Sequence, residues 1–214
     1  MIAEILRIHP EEPEAALVSL VAQSLDAGQV VALPTDTFYG LAVDPVNLAA
    51  VDRIYDIKQR ARHKPLSLLI ADAAHAYGLA RNCDSAFDRL AERFWPGPLT
   101  IIVQAGSRLP LRVTANTGNV ALRVPEAPIA RAIAAKLGIP ITATSANLSG
   151  RAECTSADSV LGQLGDLIPL IVDGGPTARA VATTIVDLSA GGANWSILRE
   201  GAIPTHEIAL CLQH

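Results

Sequence analysis

From Pro13 onward, short apolar runs alternate with stretches whose apolar residues recur every three or four positions, and that alternation confines the chain to an α/β fold. Pro13, followed by Ala15, Leu17, Val18, Val21, Ala22 and Leu25 and then by Gly28, reads as a helix with a proline in its first turn and a glycine stop. A strand over Gln29–Leu33 follows. Asn47 is placed to cap a helix running to about Ile57, and Asp84 to cap another that buries Phe87, Leu90, Ala91 and Phe94. Trp95-Pro96-Gly97-Pro98 stops the second of these. Further strands are expected at Leu66–Ile70, Leu99–Gln104, Val120–Val124, Pro140–Thr144, Leu167–Val172, Thr184–Leu188 and Trp195–Arg199. A helix over Pro128–Leu137, closed by Gly138, and a short terminal helix complete the pattern. Some strands are joined by turns and others by helices, which calls for a mixed sheet with flanking helices. No linker, repeat or low-complexity segment interrupts it.

At 214 residues the chain fits one domain with a substantial core. Its mean hydropathy is +0.32. No apolar run reaches the roughly 18 residues a membrane helix needs, so no membrane role is expected. The opening MIAEILRIHP carries a glutamate and an arginine inside its apolar portion and lacks a cleavable signal pattern. Cys83, Cys154 and Cys211 are odd in number and include no CxxC pair, which fits a reducing cytoplasm better than a disulfide framework. A formal charge of −4 argues against a protein that coats nucleic acid, although a local cationic groove binds phosphates whatever the net charge.

Two segments carry chemistry. Pro34-Thr35-Asp36-Thr37-Phe38-Tyr39-Gly40-Leu41 places a hydroxyl-rich turn at a strand end and precedes a helical segment that finishes in Lys58-Gln59-Arg60-Ala61-Arg62-His63-Lys64. Cations and hydroxyls in that order point to a phosphorylated ligand. Thr142-Ala143-Thr144-Ser145-Ala146-Asn147-Leu148-Ser149-Gly150 is a small-residue turn after a short strand, where backbone amides and hydroxyls can approach a ligand closely. Such residues also make ordinary turns. Neither GxxxxGK[ST] nor GxGxxG occurs, so any nucleotide site is built differently from the two commonest ones.

Taken together, PTDTFYGL, KQRARHKPLSLLI, FWPGPLT, VALRVP, TSANLSG and TTIVDL, in that order and spacing, resemble the YrdC family of threonylcarbamoyl-AMP synthases over about Leu17 to Gly201. The resemblance implies a YrdC-like twisted sheet, parallel and antiparallel, around an open cationic cavity, with residues 1–214 forming one domain. It implies condensation of L-threonine, bicarbonate or CO2, and ATP into threonylcarbamoyl-adenylate and pyrophosphate, with Mg2+ accompanying the phosphates. A downstream threonylcarbamoyl-transferase complex and contact with tRNA or double-stranded RNA are the partners it implies.

On the family pattern, Thr35, Ser67, Arg123, Ala143 and Thr183 would line the L-threonine half, with Arg123 meeting the carboxylate. Lys58, Arg62, Ser145, Asn147 and Arg199 would form the ATP half, with Arg60 a neighbour. Chemistry agrees, because ATP brings about four negative charges that cations must neutralise. Each cation has a plainer reading beside this one. Lys58 and its neighbours could be a solvated helix end facing the helix dipole, Arg199 a surface strand residue, and Arg123 an arginine on the wet face of a half-buried strand. Asp36 reads as a turn aspartate accepting nearby backbone hydrogen bonds rather than as a metal ligand. His9, His63, His75, His206 and His214 lack metal-like spacing, and no metal ligands are assigned.

Two departures qualify the resemblance. Many relatives carry glutamate and serine where this chain reads Val181-Ala182-Thr183-Thr184, and the chain resembles the short form of the family. Two alternatives stay open at this point: a non-catalytic RNA- or ribosome-associated module, and an ATP-binding regulatory or other carbamoyl-transfer protein that uses the same pocket differently.

Overall fold

A computed structural model describes residues 3–213, so Met1, Ile2 and His214 lie outside it. The strands are β1 (Glu4–Arg7), β2 (Val31–Leu33), β3 (Gly40–Ala42), β4 (Ser67–Leu69), β5 (Leu99–Gln104), β6 (Asn119–Arg123), β7 (Ile141–Ser145), β8 (Leu170–Asp173), β9 (Thr184–Asp187) and β10 (Ser196–Arg199). They form one sheet in the order β1-β8-β2-β3-β7-β4-β6-β5-β9-β10. Pairings β1/β8, β8/β2, β4/β6 and β5/β9 are parallel and the rest antiparallel, which is the mixed sheet the connections called for.

The helices are α1 (Ala15–Asp26), α2 (Leu48–Lys58), α3 (Ala76–Leu79), α4 (Ser85–Phe94), α5 (Leu111–Thr114), α6 (Pro128–Leu137), α7 (Ala157–Leu164) and α8 (Thr205–Leu212). Their ends follow local chemistry. Asn47 Oδ1 accepts from the Ala50 amide at 3.1 Å, and Asp84 Oδ1 from Ala86 and Phe87, caps of about 1 kcal/mol each. Gly138 closes α6 at φ +67°, a conformation that costs glycine little. Helix α1 starts later than its proline indicated: Glu14 is the N-cap, and Pro13 precedes the first turn.

Strand β1 escapes a sequence reading because it is short and half exposed, and β3 because Gly-Leu-Ala carries little strand preference. Tertiary pairing makes both. Leu33 pairs with Gly40, so Pro34–Tyr39 is the loop of a hairpin and leads into β3 before any helix.

Alternate strand residues feed two cores. On one face, Ala32, Leu41, Leu68, Leu99, Ile101, Val103, Val120, Leu122, Ile171 and Val186 pack under α2, α4, α7 and α8 across the whole width of the sheet. On the other face, Val31, Leu33, Ala42, Leu69, Ile141, Leu170 and Val172 pack under α1 and α6. Among the described residues, that second core draws nothing from β5, β6, β9 or β10. Helices therefore cover one face fully and the other by half, and the bare half carries several of the candidate residues.

Candidate functional site

The bare half-face is read off the register. Gly40 lies opposite Ser145, Ser67 opposite Ala143, Leu69 opposite Arg123, and Thr100 opposite Ile185. Residues that face each other across a ladder share a side of the sheet, so these rungs form one floor. The hairpin loop Thr35–Tyr39 and the end of the 174–183 connection wall it, leaving a cavity of about 240 Å³. Its lining includes Arg60, Arg123 and Arg199 with Glu153, and Thr35, Ser67, Ala143, Ser145, Ala182 and Thr183. That volume lies just below the roughly 300–1,000 Å³ of drug-sized sites.

Arg123 ends β6 with its side chain 6% exposed. Its Nε donates to the Gly97 carbonyl at 2.9 Å, Nη1 to Thr37 Oγ1 at 3.1 Å and Nη2 to Asp36 Oδ1. A guanidinium has five N–H groups, so three anchors fix its plane and leave one N–H on each terminal nitrogen. Burial presses its pKa down, and Asp36 opposes that effect. The strand-alternation reading is thereby set aside: this arginine is inside and has an anion. Asp36 is correspondingly no local turn acceptor. Its Oδ1 takes Arg123 and the Glu126 amide at 3.1 Å, some ninety positions along the chain.

Lys58, the last residue of α2, is 3% exposed. Its ammonium donates to the carbonyls of Ser145 and Asn147, the latter at 2.9 Å, and to Asn147 Oδ1 at 3.1 Å. Three donors meet three acceptors, so the solvated helix-end reading fails. Burial pulls its pKa down to about 8, Arg60 adding to the effect and Glu153 acting against it. Asn147 Oδ1 also accepts from Ser145 Oγ at 2.6 Å, and its amide nitrogen donates to Arg151 O at 2.6 Å. Lys58 and Asn147 thus brace the turn after β7 from behind, and Ser145 is the member of that group in the lining.

The remaining side chains divide clearly. Thr35 lines the cavity, but its hydroxyl is spent within the hairpin loop, donating to Phe38 O at 2.7 Å and accepting from Thr37 N and Phe38 N. Arg199 donates from Nε to Thr183 O at 2.9 Å and from Nη2 to Thr183 Oγ1 at 2.7 Å, joining β10 to the cavity edge. Arg62 stays outside the cavity lining. It is exposed, paired with Asp52 and with Asp56 at 2.8 Å, and stacked over Tyr55. Arg60, ranked behind it in the sequence, is the member of the cluster that lines the cavity. Asp36 and Thr37 as partners of Arg123, and Glu153 in the lining, escaped the sequence reading. An unpaired arginine in a strand beside a Thr-Asp-Thr turn was the available signal.

Among the described residues, no group of three His, Cys, Asp or Glu could hold a metal ion, and no helix is long and apolar enough to cross a membrane.

A polar cavity on the half-bare face of a mixed sheet, beside a hydroxyl-rich hairpin loop, is the layout of an α/β small-molecule site. The family model for the Sua5/YciO/YrdC domain, described as telomere recombination, matches residues 23–201, and the chain belongs to that family. Threonylcarbamoyl-AMP synthase of Bacillus subtilis is 40% identical over 192 residues, 89% of this chain and 55% of that protein. The Vibrio vulnificus protein of the same name is 38% identical over 156 residues, 72% of this chain and 84% of its own length. A crystal structure of Pyrococcus abyssi Sua5 complexed with L-threonine superposes with a TM-score of 0.92 at 34% identity, over 98% of this chain and 61% of that one. The chain spans little more than half the length of the Bacillus relative.

Proposed function

We propose that this chain is an L-threonylcarbamoyladenylate synthase, a cytoplasmic nucleotidyltransferase acting on L-threonine, bicarbonate or CO2, and ATP. The observation that carries the reading is Arg123: a buried guanidinium held by three anchors and lining the cavity with an N–H to spare on each terminal nitrogen. Two free N–H groups are the number a carboxylate takes up. The names of the Bacillus and Vibrio relatives and the threonine complex of the Pyrococcus protein support it.

In this reading threonine sits over Ser67, Ala143 and Thr183 with its carboxylate on Arg123, and the Thr35 loop shapes that end. The nucleotide spreads from Ser145 toward Arg60 and Arg199 over the rim, where the floor ends. Lys58 and Asn147 act on it through the turn they brace, and Arg62 reaches it only by leaving Asp52 and Asp56. The threonine amine, once neutral, bonds to the carbon of CO2 and loses a proton, giving a carbamate. A carbamate oxygen then attacks the α-phosphate as the bond to pyrophosphate breaks. Positioning and charge neutralisation supply the catalysis, with no covalent nucleophile on the protein. Mg2+ would accompany the ATP phosphates and help neutralise their charge. Delivery of the product to a threonylcarbamoyl-transferase complex, with contact to tRNA or double-stranded RNA, belongs to the same proposal.

Incubation with ATP, threonine and bicarbonate, followed by mass detection of threonylcarbamoyl-adenylate, tests it. Pyrophosphate release is expected to require threonine and bicarbonate together and to be slower with serine. Brisk ATP cleavage without them overturns the reading.

A further inference from the structure

Among the described residues Asp36 is the only buried carboxylate, and it stands against the guanidinium just described. Its use there is lopsided. Oδ1 takes both of its hydrogen bonds, from Arg123 and from the Glu126 amide, while the buried Oδ2 has none. Arg179 Nε, on the exposed segment joining β8 to β9, lies 3.9 Å from Oδ2, and the same guanidinium bonds Glu126. A buried acid present only to satisfy Arg123 could meet it through both oxygens. This one keeps half its capacity away from hydrogen bonds, in a place where water screens little.

We propose that Asp36 is a specificity-determining residue: its negative charge turns plain anions away from the Arg123 end of the cavity while admitting a carboxylate that carries its own ammonium. The effect is electrostatic and rests on the reading that Arg123 receives the amino-acid carboxylate. A plain anion placed on the two free N–H groups feels the full repulsion of Asp36 behind them. A zwitterion feels it only as a dipole, because attraction to its ammonium offsets repulsion of its carboxylate. The only carboxylate in the cavity lining is the exposed Glu153, so polyanions are left a better place to go at Arg60, away from Asp36. Asp36 thereby keeps phosphates out of the amino-acid half by charge instead of shape.

The test is calorimetric titration of the full chain with L-threonine and with (R)-3-hydroxybutyrate, which is threonine without its amine, plus inorganic pyrophosphate as a polyanion. Asp36→Asn keeps the shape and the Oδ1 acceptor but removes the charge. It is expected to reduce the preference for threonine over hydroxybutyrate by about tenfold and to raise competition by pyrophosphate against threonine. Arg179→Met removes the cation beside Oδ2 from an exposed segment and is expected to shift the same preference the other way by about twofold. Should Asp36→Asn not fold, the Arg179→Met shift decides. A preference unchanged in the folded variants, with both ligands weakened together, means a purely structural Asp36 and overturns the proposal. Wild-type protein that does not bind threonine, or an Arg123→Leu protein that binds it equally well, removes the carboxylate reading and the proposal with it, an outcome distinct from an unchanged preference.

Discussion

Arg123 and Lys58 are both buried cations, the first in the cavity lining and the second behind the turn that carries Ser145, yet their hydrogen bonds are balanced differently. Arg123 spends three of five N–H groups on Gly97, Thr37 and Asp36 and keeps two. Lys58 gives all three to Ser145 and Asn147. Burial alone therefore does not distinguish the two cations; the count of unspent donors does. Arg123 keeps the donors that the proposed carboxylate contact needs, whereas Lys58 fastens the turn that presents Ser145.

The comparison breaks most readily at Arg123. Arg123→Leu leaves the buried Asp36 with only the Glu126 amide and the more distant Arg179, a loss of about 3–5 kcal/mol of stability that denaturant titration measures. In the folded fraction, threonine affinity is expected to fall by about ten- to a hundredfold, the worth of a charge-assisted contact, with ATP affinity nearly unchanged in separate titrations. Equal losses for both ligands would show general collapse of the cavity instead of a lost carboxylate contact.

Lys58→Ala is expected to lower turnover at least about tenfold, some 1.4 kcal/mol of transition-state stabilisation, by loosening the Ser145–Asn147 turn. A folded variant with unchanged kinetics would separate the turn from catalysis.

Lys58 also has a pH signature. Its folded pKa near 8 lies below the ordinary 10.5, so between those values the unfolded chain holds more protons and stability rises with pH. Lys58→Met removes that slope. Denaturation midpoints at pH 7 and pH 10 are expected to differ more favourably toward high pH in wild type than in the variant, other groups titrating alike in both.

The smallest effects separate two arginines that are near neighbours in sequence. Arg60→Ala is expected to raise the KM for ATP about tenfold, because Arg60 lines the cavity. Arg62→Ala is expected to change it by less than about threefold and stability by less than about 1 kcal/mol, its exposed pairs with Asp52 and Asp56 being worth little. A reversal of that order would place the nucleotide beyond the rim, on the outer face of α2.

Several features were legible in the chain by itself. Helix α6 ends where its proline and glycine indicated, β5 spans Leu99–Gln104 as its apolar run required, and the Asn47 and Asp84 caps form as read. These are local properties, set by hydrogen bonds and periodicities within a few residues. Tertiary structure alone decided the rest. That Arg123 is buried on an anion, that Asp36 is this anion, that Lys58 is consumed by a turn 87 positions away and that Arg62 yields its place to Arg60 all depend on which strands become neighbours. Sequence composition states which charges a chain carries, but burial and pairing fix what each costs and which donors stay free. Only the folded sheet, half covered on one face, settles those quantities.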